Sequence, residues 1–360
     1  MPGVMGLFDN VHMGASLIRN EQALDYEFLP KLIPFREGEQ QYLATCIKPL
    51  FNQRSGRNVL IHGLPGIGKT AATRVVLRDL EEQSDDIYVV YINCWQHNTT
   101  YKILLETCDQ LGYKFTQNKN TTELMKVIAS ICNKKAAVFV FDEIDKVEDF
   151  DFLYSLLEDI FRKCLFLITN YKSWLMELDE RIKSRLTPEL VEFRQYNPHE
   201  TKEILRQRLD IAFHPTVWDV PAFDLVAKKA AEVKDIRGGL FLMKTAALEA
   251  ESKLQRKVAA EHVQAAVSRM DEFFVKNQEE LEDDTRKILD LVTRDPGRKI
   301  GDLFHSYQKE GGKGSYKTFQ RKIARLEQNR FITLEKSGGG AGGNTTIVHK
   351  NSDIKKLDEF

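Results

Sequence analysis

The stretch Asn58-Val-Leu-Ile-His-Gly-Leu-Pro-Gly-Ile-Gly-Lys-Thr70 decides the fold of this chain. A short apolar strand runs into Gly63, Leu64, Pro65, Gly66, Ile67 and Gly68, then Lys69 and Thr70, and a helix opens at Ala71. This is the spacing G-x-x-x-x-G-K-[ST] with a strand before it and a helix after it. Glycines let backbone N–H groups close around a polyphosphate where side chains would intrude, and the helix N-terminus adds partial positive charge there. Lys69 is placed to reach the β- and γ-phosphates, and the Thr70 hydroxyl to ligate Mg²⁺. The spacing implies a nucleoside triphosphate site over residues 63–71.

Outward from this loop, residues 57–194 alternate strand-like apolar runs with longer amphipathic stretches, the pattern of a mostly parallel sheet covered by helices. The strands fall at 58–62, 87–93, 137–141, 164–169 and 191–193, with helices at 71–82, 101–111 and 122–133 among them. Asn197-Pro-His-Glu starts another helix, Asn197 as N-cap and Pro198 at the first helical position. From there to about residue 274 the chain reads as helix, and the charged segment 271–286 as a connecting helix. The last eighty or so residues read as helices at 284–293, 299–309 and 315–329, a strand at 331–336, a Gly/Ala turn at 338–343 and a strand at 345–349. Three helices followed by a hairpin is the winged-helix order. The three domains so drawn are 1–195, 196–276 and 277–360.

Composition narrows the class without naming it. A hydrophobic content of 42%, a charged content of 29% and a net charge of −1 exclude a wholly basic nucleic-acid binder but leave room for local patches. The five cysteines are scattered without a C-x-x-C pair, as buried thiols of a reducing compartment are. None of the eight histidines is assigned a metal, and His62 reads as a strand residue. Asp9, Arg19 and Glu21 interrupt the N-terminal apolar residues, which argues against a secretory signal. No apolar run approaches the about 18 residues that a membrane span needs. A cytoplasmic protein with no membrane partner is expected.

The third strand ends in Asp142-Glu143-Ile144-Asp145. On the loop's sheet, this places carboxylates at the C-terminal edge, where ligands bind in such folds. Asp142 can hold the Mg²⁺ that Thr70 also ligates. Glu143 can accept a proton from water attacking the γ-phosphate. The fourth strand ends at Thr169-Asn170, where the amide can orient that water or cap the next helix. Arg181 and Arg185, four apart in a basic turn, suit either surface pairing with Glu177, Asp179 or Glu180, or neutralisation of transition-state charge in a neighbouring subunit.

Residues 309–330 carry seven Lys/Arg against Glu310 and Glu327, a net of +5. At about 100° per residue, Phe319, Ile323 and Leu326 form one apolar stripe, with Lys317, Arg321 and Arg325 opposite. An apolar stripe that anchors a helix while a basic stripe faces outward suits a duplex DNA contact, and it equally describes an ordinary solvated basic face. The candidate contacts are Lys313, Lys317, Arg321, Lys322 and Arg325, with Tyr316 and Gln320 for bases or sugars.

Taken in order, these motifs resemble the AAA+ replication initiators of the archaeal origin-recognition and cell-division-control-six type. The resemblance implies a parallel-sheet ATPase domain, an all-α lid and a C-terminal winged helix, with ATP or ADP and Mg²⁺ as ligands. It also implies duplex DNA, and through helicase loading a replicative helicase, as partners. Leu32-Ile-Pro-Phe-Arg-Glu37 is similar to the family's Pro-x-Arg-Glu box, which would put Pro34 and Arg36 beside the adenine. Asp142-Glu143 matches its second nucleotide motif, and Asn170 its first sensor. Arg185, or Arg181, falls where its arginine finger is expected, implying self-association. Lys234-Asp-Ile-Arg237 resembles its Gly-Asp-x-Arg second sensor, with Lys234 in place of the glycine and Arg237 as the γ-phosphate reader. Segment 101–118 sits where initiators carry an extra helical element that touches DNA. A signalling ATPase of the STAND type and a helicase- or transposase-loading ATPase share much of this order, and would use the winged helix for protein contacts.

Overall fold

A computed structural model describes residues 16–279, 283–312, 314–328, 331–337 and 345–350. The described residues divide into two compact units, one formed by 18–214 with 227–241, the other by 16–17, 215–226 and those from 242 onward.

The first unit is built on a five-stranded parallel sheet. After α1 (Glu37–Ile47) come β1 (Val59–His62), α2 (Lys69–Gln83), β2 (Ile87–Asn93), α3 (Thr100–Gln110), α4 (Thr121–Cys132) and β3 (Ala136–Asp142). Then follow α5 (Asp151–Asp159), β4 (Lys163–Thr169), α6 (Trp174–Glu177), α7 (Glu180–Leu186), β5 (Glu189–Glu192) and α8 (Pro198–Ala212). The strand order β2-β3-β4-β1-β5 places β1 between β4 and β5. Strand alternation sorts the core into two layers. Phe139, Phe141, Leu165 and Leu167 pack on one face with residues of α3, α4 and α5. Val138, Val140, Phe166 and Ile168 pack on the other with α1 and α2. Both faces are covered, so the central strands read as continuous apolar runs rather than alternating ones.

The strand expected at 191–193 lies at Glu189–Glu192 instead. Its register is set by pairing with β1, Val59 opposite Glu189, and Arg57 pairs with the Glu189 carboxylate at 3.0 Å. Asn197 caps α8 with a reciprocal capping box to Glu200, and Pro198 opens the helix. All five cysteines are buried and unpaired as thiols, and His62 lies in β1.

Helices α9 (Val220–Val233), α10 (Ile236–Ser252), α11 (Ala260–Glu279) and α12 (Asp283–Arg294) follow. Residues 280–282, inside the expected connecting helix, lie outside the described residues. Then come β6 (Arg298–Lys299), α13 (Ile300–Lys309), α14 (Tyr316–Gln328), β7 (Ile332–Ser337) and β8 (Thr345–Lys350). The strands form an antiparallel sheet in the order β6-β8-β7, so the hairpin carries a third, two-residue strand that periodicity is too short to show. Phe319, Ile323 and Leu326 of α14 are fully buried against Ile288, Val292, Leu303 and Tyr307, giving a small core of its own under three helices. No helix among the described residues is long and apolar enough to cross a membrane.

Candidate active site

The loop and the strand ends converge at the C-terminal edge of the parallel sheet. Gly68 caps α2 with φ +89 and Gly66 has φ +74, left-handed angles that disfavour side chains. The Gly66 requirement is also steric. A Cβ there would lie 2.2 Å from Oδ1 of Asp235. A Cβ on Gly68 would lie 2.9 Å from the Tyr196 hydroxyl.

Lys69 points back over the loop. Its Nζ donates to the carbonyls of Gly63 (2.6 Å) and Leu64 (2.8 Å) and to Oδ1 of Asn170 (2.9 Å). These acceptors are neutral, and burial lowers the Lys69 pKa to about 8, with Asp142 opposing the shift and Arg237 adding to it. Asn170 therefore joins the loop; the cap of α6 is Ser173.

Asp142 ends β3 almost fully buried. Its Oδ2 accepts from Thr70 Oγ1 at 2.7 Å and from the Tyr91 hydroxyl at 2.5 Å, and its Oδ1 from the Glu143 N–H at 3.0 Å. Glu143 sits at φ 55, ψ 45, left-handed for a non-glycine residue. Burial, then Asp142 and Asp145, raise its carboxyl pKa. Asp145 accepts from Thr169 Oγ1 at 3.0 Å and pairs with Lys146 at 2.8 Å. Tyr91 is a residue that sequence reasoning missed. Strand alternation and the register (Tyr91 opposite Val140, Asn93 opposite Asp142) put it on the Asp142 face, where α2 lays Arg74 over its ring at 4.5 Å. A polar residue two positions before a strand end was the available signal.

Arg36 is fully buried. It donates to the Ile67 carbonyl at 3.1 and 3.3 Å, to the Tyr196 hydroxyl at 3.1 Å and to the Arg194 carbonyl, and it pairs with Glu39 at 2.9 Å. Its guanidinium stacks 4.1 Å from the Tyr196 ring centroid. Its donors face protein, so Arg36 braces the loop from behind. Pro34 lies half-buried two residues before it.

Arg237 opens α10, its guanidinium forked onto both Asp235 oxygens at 2.8–3.2 Å. Its charge acts on both Lys69 and Glu143. Lys234 has φ 57, the conformation that favours glycine just past a helix end. Arg181 is 77% exposed and paired with Asp179. Arg185 pairs with Glu158 and stacks 5.0 Å from the Tyr154 ring centroid. These partners leave both arginines on the outer surface of α7.

On α14, Lys317, Gln320 and Arg321 are exposed and Lys322 is half-buried. Tyr316 packs edge-on against Phe304 at 5.0 Å while remaining 40% exposed. Lys313, the side chain of Arg325 and the 338–343 turn lie outside the described residues. Between β2 and β3 stand two helices, α3 and α4, joined by a loop carrying Phe115 at 79% exposure.

Comparison with known proteins fits this geometry. Residues 53–173 match the AAA domain family, and residues 202–268 match the Cdc6 AAA+ ATPase-type lid domain. The structure of the Aeropyrum pernix ORC1 protein in complex with DNA shares the fold, with a TM-score of 0.70 over 94% of both chains at 24% identity. ORC1-type DNA replication protein 1 of Archaeoglobus fulgidus is 29% identical over 89% of this chain and 84% of its own length. ORC1-type DNA replication protein 1 of Methanosarcina mazei is 31% identical over 74% of this chain and 68% of its own length, so the chain belongs to the family of ORC1-type DNA replication proteins.

Proposed function

We propose that this chain is an ATP-binding replication initiator whose nucleotide state controls its hold on duplex DNA, with slow hydrolysis resetting it. Lys69, Asn170, Thr70, Asp142 and Glu143, brought to one sheet edge beside Arg237, carry this reading. The domains at work are an ATPase core at 1–195, a lid at 196–276 and a winged helix at 277–360.

Backbone N–H groups of the loop residues 63–71 other than Pro65, with the Lys69 ammonium, bind the phosphates. Thr70 Oγ1 and the Asp142 carboxylate form an all-oxygen donor pair that suits Mg²⁺ and would hold it. That ion, when bound, offsets charge on the β- and γ-phosphate oxygens. Tyr91 fixes the Asp142 carboxylate. Glu143 takes the proton of the attacking water, a task its raised pKa favours. Asn170, anchored by Lys69, orients that water, and Arg237 faces the terminal phosphate. Arg181 or Arg185, on an exposed face, completes the site of a neighbouring copy in this reading. Pro34 and Arg36 support the loop and the adenine side.

Lys317, Gln320 and Arg321 face outward from a helix anchored by Phe319, Ile323 and Leu326, with Lys313, Tyr316, Lys322 and Arg325 nearby in sequence. They contact the duplex backbone and grooves. A replicative helicase is the protein partner. The test is duplex binding by fluorescence anisotropy across a salt series, with ATP and with ADP. Lys317→Glu with Arg321→Glu should weaken binding and make the log–log salt slope shallower by about 2, one counterion per lost phosphate contact. An unchanged slope overturns the DNA-facing role of α14.

A further inference from the structure

Asp235, the residue before α10, makes three contacts at once. Its Oδ1 accepts the Arg237 backbone N–H at 2.9 Å, the bond an N-cap makes. Both of its oxygens take the Arg237 guanidinium, through Nε at 3.1 and 3.2 Å and Nη2 at 2.8 Å. It is also buried against the phosphate loop, where a Cβ on Gly66 would meet its Oδ1 at 2.2 Å and its Cγ at 2.4 Å. A carboxylate thus rests on the loop and holds an arginine whose charge reaches Lys69 and Glu143. A loop lined by N–H groups together with a guanidinium is the partner set that a terminal phosphate takes.

We propose that Asp235 is a built-in competitor for the terminal phosphate and so sets how strongly the site prefers triphosphate over diphosphate. The inference rests on the nucleotide-site reading above. A diphosphate leaves the Asp235–Arg237 fork intact. A triphosphate gains Arg237 only by drawing it from a carboxylate, so part of the new charge-assisted bonding replaces bonding already present. Gly66 is the complementary adaptation on the loop, since any side chain there would displace the carboxylate.

The test compares affinity for ADP and for a non-hydrolysable ATP analogue, with Mg²⁺, by calorimetry. Asp235→Asn keeps the N-cap acceptor and the volume but removes the charge. It should raise the triphosphate-over-diphosphate preference by about five- to tenfold, the difference between a charged and a neutral partner for Arg237. Asp235→Ser, also a good N-cap, should move the ratio the same way and provides the reading where the Asn variant folds poorly. In an Arg237→Ala background, Asp235→Asn should leave the ratio unchanged. A wild type that binds both nucleotides, with a ratio that Asp235→Asn leaves unchanged or lowers, overturns this inference alone. So does an equal rise in the Arg237→Ala background. A wild type that holds neither nucleotide overturns the site reading and this inference with it.

Discussion

Raising the pH from 7.5 to 9.5 should release nucleotide from this protein, because the loop lysine loses its proton unusually early. Lys69 donates only to neutral acceptors and is almost fully buried, and its pKa falls from 10.5 to about 8. Phosphate anions placed beside it favour the charged form, so the protonated protein is the species that binds tightly. Affinity is therefore full well below pH 8, falls to about half at pH 8 and declines about tenfold per unit above it. The protonated fraction falls from about 0.76 at pH 7.5 to about 0.03 at pH 9.5, which weakens binding about 25-fold, or about 1.9 kcal/mol, while the bound-state pKa stays above this range.

Calorimetry with ADP and Mg²⁺ in buffers of different ionisation enthalpy reads both the affinity and the proton taken up. At pH 8, binding should take up about half a proton. Lys69→Arg, whose guanidinium stays charged, should give a flat profile at whatever affinity it retains. The same shift has the opposite sign for the unliganded fold. Between pH 8 and 10.5 the unfolded chain keeps a proton that the folded one has lost, so this group's contribution to stability grows as pH rises. A wild-type affinity that is constant from pH 7.5 to 9.5 with no proton uptake refutes the reasoning.

Two further outcomes are expected. Glu143→Gln should cut single-turnover ATP hydrolysis by about 10²–10⁴-fold while ADP binding persists, and hydrolysis at the wild-type rate would remove Glu143 as the base. Lys234→Gly should stabilise the chain by about 0.5–1 kcal/mol in urea unfolding, the left-handed penalty at φ 57 offset in part by glycine's extra unfolded entropy, and destabilisation would count against that conformation.

What the sequence discloses and what it hides follow the range of the interactions involved. The loop, the carboxylates closing β3 and the Asn197 capping box are set by neighbours within a few positions, so their spacing is enough to place them. Arg36 depends on residues about 160 positions away. Phe193 and Tyr196 enclose its guanidinium, and the Ile67 and Arg194 carbonyls accept its N–H donors, a bracing of the loop that the local motif does not disclose. Tyr91 and Thr169 act through register between strands, information that no local window holds. The fifth strand slipped for a related reason. Val191 and Phe193 are the buried apolar residues there, but pairing with β1 runs over Glu189–Glu192, and the charge at Glu189 is tolerated because Arg57 meets it.

Among the non-glycine residues held in the left-handed region are Glu143, beside Asp142, and Lys234, just before Asp235. Each conformation costs roughly 1–2 kcal/mol for an L-residue with a Cβ, and glycine would remove the cost. At 234 the side chain is exposed and Asp235 and Arg237 follow whatever residue stands there, so the strain there serves no contact that glycine would lose. At 143 the situation is reversed. The Glu143 N–H meets Asp142 Oδ1, and the left-handed turn leaves its carboxyl half-buried near Asp142 and Asp145, with a raised pKa. Glycine there would keep the turn and lose the carboxyl proposed as proton acceptor. Strain kept where a side chain must act, beside strain that a single substitution should relieve, separates the functional outlier from the incidental one.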